Sequence, residues 1–171
     1  MLNKHVNAIL TGLPIVARRF PFFNGGVKRL VIEVELQEVI VFLVHLSLKF
    51  RHRQYQLNDL HTLIAGCDKP VIVAGDFNVL WGDRELQLFL AASGLTSANV
   101  QSQFSYPSRN PHRELDYIFH SPEISSTGFQ APQIKLSDHV PLVWDFTIDR
   151  PKTEGIVLGH APAVATSAGL S

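Results

Sequence analysis

The stretch Val71-Ile-Val-Ala-Gly-Asp-Phe-Asn-Val-Leu-Trp-Gly-Asp83 runs an apolar segment straight into a carboxylate and, two positions later, a carboxamide. A short β-branched run bounded by glycine reads as a buried strand. Side chains of an extended chain alternate with period two, so Asp76 and Asn78 share one side while Phe77 turns to the other. A rigid strand thus delivers an acceptor and a donor into one space. Chemistry collects at such places in α/β proteins, because strand ends aim the first loop residues at a common crevice. Taken alone the pair has a second reading, since Asp-x-Asn after a strand also closes an Asx turn by bonding its own backbone.

Working outward, the chain alternates strands with amphipathic helices. Pro70 to Ala74 is one predicted strand, Val27 to Leu36 alternates its side chains as a strand does, and Val39 to Leu46 is β-branched and apolar enough to be its buried partner. Leu36-Gln37-Glu38-Val39 between them reads as a hairpin turn. Asn7 to Leu10, Leu115 to His120 and Val140 to Ile148 are the remaining predicted strands. Leu57, Leu60 and Ile64 recur at helical spacing and stop at Gly66. Leu86, Phe89 and Leu90 do the same behind Asp83 as N-cap, with Gly94 past the end. Lys49, Arg51, His52 and Arg53 are expected on the solvated face where the first helix begins. Residues 1–150 are expected to form one domain. Residues 151–171, rich in Ala, Gly, Ser and Thr, are expected to form a peripheral or disordered tail.

The chain has 171 residues, 46% of them hydrophobic and 18% charged, which suits one soluble globular domain with a real core. Its 15 basic and 15 acidic residues cancel, so a polyanionic substrate must be held by local groups rather than by a global field. The lone Cys67 excludes an internal disulfide framework and fits a reducing compartment. No apolar run approaches the roughly 18 residues of a membrane helix, and the first ten residues lack signal-peptide order. A cytoplasmic protein without a transmembrane segment is the expectation.

Three further strand boundaries carry polar groups: Val44-His45-Leu46-Ser47, Glu114-Leu115-Asp116-Tyr117-Ile118 and Ser137-Asp138-His139-Val140-Pro141-Leu142. Asp116 lies between apolar neighbours, where an ionised carboxylate is costly unless a metal, a histidine or hydrogen bonds compensate it. Each boundary alone is ordinary; a histidine such as His45 beside a strand also serves as a core or surface residue. Their joint occurrence at the ends of apolar strands carries the inference.

The Val-His-Leu-Ser, Gly-Asp-Phe-Asn, Leu-Asp-Tyr-Ile and Ser-Asp-His-x-Pro-Leu segments, in this order, resemble the endonuclease/exonuclease/phosphatase superfamily, over roughly Asn7 to Phe146. The resemblance implies a four-layer α/β sandwich, two packed mixed sheets flanked by helices, and metal-dependent cleavage of phosphoester bonds. It implies that Asp76 orients or deprotonates the attacking water and that Asn78 holds a phosphate oxygen or Asp76 itself. His139 would contact the phosphate, His45 would be the second active-site histidine, and Asp116 the carboxylate that orients the site. Asp138, with Asp76 and Asn78, would stand at the metal, Mg2+ or Mn2+, because such hard cations prefer oxygen ligands.

The resemblance also implies a glutamate ligand well upstream of these segments. Glu38, in Leu36-Gln37-Glu38-Val39, matches its letters, but it lies in the predicted turn and is expected in solvent, away from any metal. The family domain is therefore expected to be N-terminally incomplete. The chain should then be a poor catalyst that forms a homo-oligomer through an exposed sheet edge along Asn7 to Val44. The expected function is a phosphodiesterase or nuclease. The alternatives are a phosphatase acting on inositol or lipid headgroup phosphates and a catalytically dead remnant acting as an interaction module.

Overall fold

The computed structural model describes residues 7–26 and 30–149. Its elements are β1 (Ala17–Arg19), β2 (Ile32–Glu35), β3 (Ile40–His45), α1 (Phe50–Ala65), β4 (Val71–Asp76), a 3-10 turn at Asp83–Glu85, α2 (Gln87–Ser93), β5 (Thr96–Ser97), β6 (Asp116–His120), β7 (Ile124–Gln130) and β8 (Val143–Ile148). One sheet of six strands runs β1-β2-β3-β4-β6-β5, and β7 with β8 makes a second, two-stranded sheet. β3 and β4 are parallel because α1 carries the chain back across the sheet, whereas the other neighbours are antiparallel.

The apolar run of β4 is continuous because both its faces are covered. Val71 and Val73 join Phe42, Val44, Leu57, Leu60, Phe89 and Phe119 in the main core beneath α1 and α2. Ile72 faces the other way, with Val39 and Ile124, against half-buried Trp144 and Ile148 of β8. This is the expected α/β sandwich of two packed sheets. Among the described residues both helices lie outside the larger, mixed sheet, and the smaller sheet is purely antiparallel.

Several local expectations change. Asn7 to Leu10 forms no strand; the edge strand is β1, exposed Ala-Arg-Arg, which no apolar pattern marks. Of the Val27 to Leu36 prediction, Ile32–Glu35 is strand and residues 27–29 lie outside the described residues, as does the predicted 151–171 tail. The Leu36 to Val39 turn is present, closed by the Leu36 N–H on the Val39 carbonyl at 2.9 Å, and it leaves Glu38 exposed. Asp83 does not cap α2; it opens the 3-10 turn, and α2 starts from Leu86 without a side-chain cap. Gly94 ends α2 in the left-handed conformation, as predicted.

The largest correction concerns Arg53, which is fully buried rather than solvated. It shares the inward stripe of α1 with Leu57, Leu60 and Ile64. Its guanidinium meets buried Glu85 through Nε at 3.0 Å and Nη2 at 2.5 Å, while Nη1 donates to the Ser47 and Leu48 carbonyls at 3.0 and 2.7 Å. The buried Gln56 carbonyl oxygen accepts the Ser47 N–H at 2.8 Å. The loop leaving β3 is therefore clamped from below by α1. No helix among the described residues is long and apolar enough to cross a membrane.

Candidate active site

Strand register builds the site. Across the sheet His45 of β3 stands opposite Asp76 of β4, and Asp76 opposite Asp116 of β6, so the carboxyl end of β4 carries a row of polar side chains. Gly75 permits this approach. Its φ is +143°, and a Cβ there would lie 1.9 Å from the Val44 carbonyl oxygen, a gap that no rotamer change can open. The His45 Nε2 reaches Asp76 Oδ2 at 3.1 Å.

Asn78 meets Asp76 by a turn rather than by strand alternation, because β4 ends at Asp76 and Asn78 adopts a left-handed φ of 52°. The Asn78 backbone N–H donates to Asp76 Oδ1 at 2.9 Å, and its Nδ2 donates to Asp76 Oδ2 and to the Leu46 carbonyl, each at 3.0 Å. Of the two sequence readings of the opening pair, the Asx turn holds and locks the carboxylate, whereas the expected alternation along an extended strand does not reach Asn78. The buried Asn78 amide nitrogen is shared between Asp76 and the Leu46 carbonyl.

His139 arrives on the loop before β8. Its N–H donates to Ser137 Oγ at 2.9 Å, and the same loop is anchored by Ser108 N–H on the Asp138 carbonyl and Val140 N–H on the Ser105 carbonyl, both at 2.7 Å. His139 Nδ1 binds Asp116 Oδ2 at 2.6 Å. Fully buried Ser105 fixes that carboxylate's backbone, its Oγ accepting the Asp116 N–H at 3.2 Å. The hydrogen bond to Asp116 pushes the His139 pKa up; burial opposes it, and the charges of Asp116, Asp76 and Asp138 reinforce it. With Nδ1 committed to Asp116, Nε2 is the nitrogen left for a ligand.

A cavity of about 540 Å³ collects every predicted site residue, His45, Asp76, Asn78, Asp116, Asp138 and His139, along its wall. A larger cavity, about 640 Å³, lies at the opposite end of β4 beside Lys69, Pro70 and Ser121, and brings together no comparable paired acids and histidines. Two residues of the site carried no sequence signal. Tyr106, whose ring centroid lies 4.9 Å from that of His139, and Arg113 are joined by a backbone bridge. That long loop sets their position, and no local periodicity announces it.

The donor set does not make a ready metal centre. Among the described residues no three His, Cys, Asp or Glu side chains are placed to hold an ion. Both Asp76 oxygens are occupied by Asn78 and His45, and Asp116 Oδ2 by His139.

Two packed sheets with helices outside, and two His–Asp pairs at the strand ends, define an α/β sandwich with a polar site at the end of its central strands. Residues 6–139 match the model of the Endonuclease/Exonuclease/phosphatase family, and the chain belongs to that family. It is 31% identical over 161 residues to the uncharacterized protein YbhP of Escherichia coli (strain K12), covering 82% of this chain and 62% of that protein. A UPF0294 protein of Vibrio vulnificus (strain YJ016) is 35% identical over 105 residues, or 58% of this chain and 35% of that one. The chain thus spans less than two thirds of the curated relatives it matches.

Solved structures share the fold. A family member from Bacteroides thetaiotaomicron superposes with a TM-score of 0.68 at 14% identity, covering 80% of this chain and 66% of that one. A mannosyl-6-phosphatase from the same organism gives 0.64 at 15%, covering 79% and 67%. The human Nocturnin catalytic domain with bound sulfate gives 0.59 at 22%, covering 79% and 60%.

Proposed function

We propose that the chain hydrolyses phosphoester bonds, with a phosphodiester of nuclease type as its substrate. The observation that carries this reading is the convergence of the His45–Asp76 and Asp116–His139 pairs on one cavity. Asp116 orients His139 and favours its protonated form, whose Nε2–H donates to a phosphate oxygen and follows its growing charge. Asp76, its rotamer locked by Asn78, accepts the proton of the attacking water, and His45 at 3.1 Å steadies the carboxylate. Arg113 adds a permanent cation on the cavity wall. Mg2+ or Mn2+ remains the cofactor that the family resemblance implies. The described residues do not complete its ligand set, so no step here is assigned to it.

A phosphomonoesterase on small or lipid headgroup phosphates is the second reading. The balanced charge favours it, because nucleases commonly carry a basic stripe, and the shared fold of the mannosyl-6-phosphatase supports it. Hydrolysis of bis-p-nitrophenyl phosphate and p-nitrophenyl phosphate with Mg2+, before and after chelation, separates the two. Turnover should fall by at least about 10²-fold in Asp76→Ala and His139→Ala, the scale of one lost catalytic group. A folded chain that cleaves neither ester would overturn the hydrolase reading in favour of a binding module.

A further inference from the structure

A second cavity, of about 310 Å³, adjoins the catalytic one, and Leu80 and Arg113 line both. The chemistry above leaves it unused. Buried Val79 and Tyr117 also line it, together with Phe104, which stays 46% exposed. A single exposed aromatic residue needs no explanation, but Phe104 sits between two pinned neighbours. Gln103 donates its N–H to Asn99 Oδ1 and accepts the Ala131 N–H at its own Oε1, both at 2.9 Å. Ser105 is fully buried and donates its N–H to the Arg113 carbonyl at 3.0 Å. The loop thus holds the Phe104 ring at the cavity and out of the core. Arg113 is fixed beside it, because its N–H donates to the Tyr106 carbonyl at 2.9 Å and its carbonyl accepts the Tyr106 N–H at 3.0 Å.

The charges of this second cavity balance, with Arg113 set against Glu114 and His112 as the other basic side chain. A second anionic group would gain little there. Most of its polar groups are already engaged: Glu114 Oε1 accepts Asn99 Nδ2 at 2.7 Å, the Tyr117 hydroxyl donates to the Glu114 carbonyl at 3.2 Å, and His112 Nδ1 lies 2.8 Å from the Asn110 carbonyl. A polyol, which must satisfy a hydroxyl on nearly every carbon, is poorly served by such a wall. A flat apolar ring with a few acceptors at its edge suits it better. The ring faces find Phe104, Leu80 and Val79, and the edge finds the Arg113 guanidinium and the Ser102 hydroxyl.

We propose that this cavity is a subsite for a planar aromatic group carried by the phosphoryl centre, a phenolic ring or a nucleobase, with Phe104 as its stacking platform and specificity-determining residue. Binding of the ring stands alone; calling it part of a substrate rests on the hydrolase reading above. The test titrates the full chain by NMR with phenylphosphonate, cyclohexylphosphonate and methylphosphonate, whose carbon–phosphorus bonds resist hydrolysis, and with thymidine 5′-phosphate and mannose 6-phosphate. Phenylphosphonate should bind at least about tenfold more tightly than methylphosphonate and more tightly than cyclohexylphosphonate, which matches its bulk without its π face. Phe104→Ala and Phe104→Leu should each erase that preference, and Phe104→Trp should restore it. The ratio of kcat/KM for bis-p-nitrophenyl phosphate to that for methyl p-nitrophenyl phosphate should fall by a comparable factor in Phe104→Ala. Thymidine 5′-phosphate stronger than phenylphosphonate assigns the ring to a base held across a sugar, and the reverse order assigns it to a directly attached aryl group; both uphold the subsite.

Equal or absent binding of phenylphosphonate and methylphosphonate, or a preference unaltered in both Phe104→Ala and Phe104→Leu, would overturn the subsite. So would mannose 6-phosphate bound more tightly than either aromatic ligand, which would give the cavity to a sugar. Circular dichroism identifies a variant that fails to fold, and the remaining Phe104 substitutions then decide. Phosphonate discrimination without cleavage of either ester would uphold the subsite and remove the hydrolase reading, whereas cleavage of both esters without discrimination would do the reverse.

Discussion

Replacing Arg53 with methionine tests the clamp beneath the active-site loops. The side chain keeps its length and apolar stem but loses the charge, so Glu85 is left as a buried carboxylate without its partner. Removing one member of a buried pair costs about 3–5 kcal/mol. The Ser47 and Leu48 carbonyls also lose their donor. Water can reach exposed Leu48, so we assign about 1 kcal/mol to buried Ser47 alone. A total near 5 kcal/mol is a third or more of the roughly 5–15 kcal/mol that keeps a domain folded, and corresponds to a fall in Tm of about 10–20 °C for a chain this long. Urea unfolding of Arg53→Met, Glu85→Gln and the double variant gives the cycle. The double variant should be more stable than the sum of the single losses implies, by about 1–3 kcal/mol of coupling. A loss below about 1 kcal/mol for Arg53→Met, or additive losses, would mean that the pair is solvated and clamps nothing.

Four further outcomes are expected. Gly75→Ala should cost more than about 3 kcal/mol, because positive-φ strain adds to an overlap with the Val44 carbonyl, and a urea midpoint near wild type would show that β4 can shift aside. The His139 pKa is raised by Asp116, so its contribution to stability is complete below about pH 6.5 and is lost as pH climbs through the folded value. Asp116→Asn should lower the imidazole titration seen by NMR, and an unmoved titration would remove the pair as the cause. Mg2+ should bind only weakly in a calorimetric titration and identically in Glu38→Gln; tight binding lost on that substitution would make Glu38 the missing ligand. Light scattering should show self-association, given exposed Leu10, Leu13, Ile15, Val16 and Phe20 along the N-terminal edge, and a clean monomer would refute it.

How much of this was legible depended on burial. β3, β4, β6 and the inward stripes of α1 and α2 were readable because a sheet covered on both faces and a helix covered on one leave their period in the sequence. β1, β5 and β7 left none. Ala-Arg-Arg, Thr-Ser and Ile-Ser-Ser-Thr-Gly-Phe-Gln are short, polar or interrupted, and each becomes a strand only because a partner offers its backbone hydrogen bonds. Arg53 was misread for the same reason in reverse. Its spacing from Leu57 placed it on the core stripe, but a charge is admitted there only when Glu85, 32 residues away, arrives to meet it.

The sequence by itself marked the candidate groups: His45, Asp76, Asn78, Asp116, Asp138 and His139 are polar residues at the ends of apolar segments, and all line one cavity. Only the tertiary structure decided their partners. Nothing local says that His45 pairs with Asp76 and His139 with Asp116, or that the Asn78 amide also reaches the Leu46 carbonyl. Those choices follow from the register of β3, β4 and β6 and from the Ser105 to Ser108 anchor of the His139 loop. Register is set by hydrogen bonds and packing between segments far apart in the chain, and a shift of one residue would turn each of these side chains to the other face.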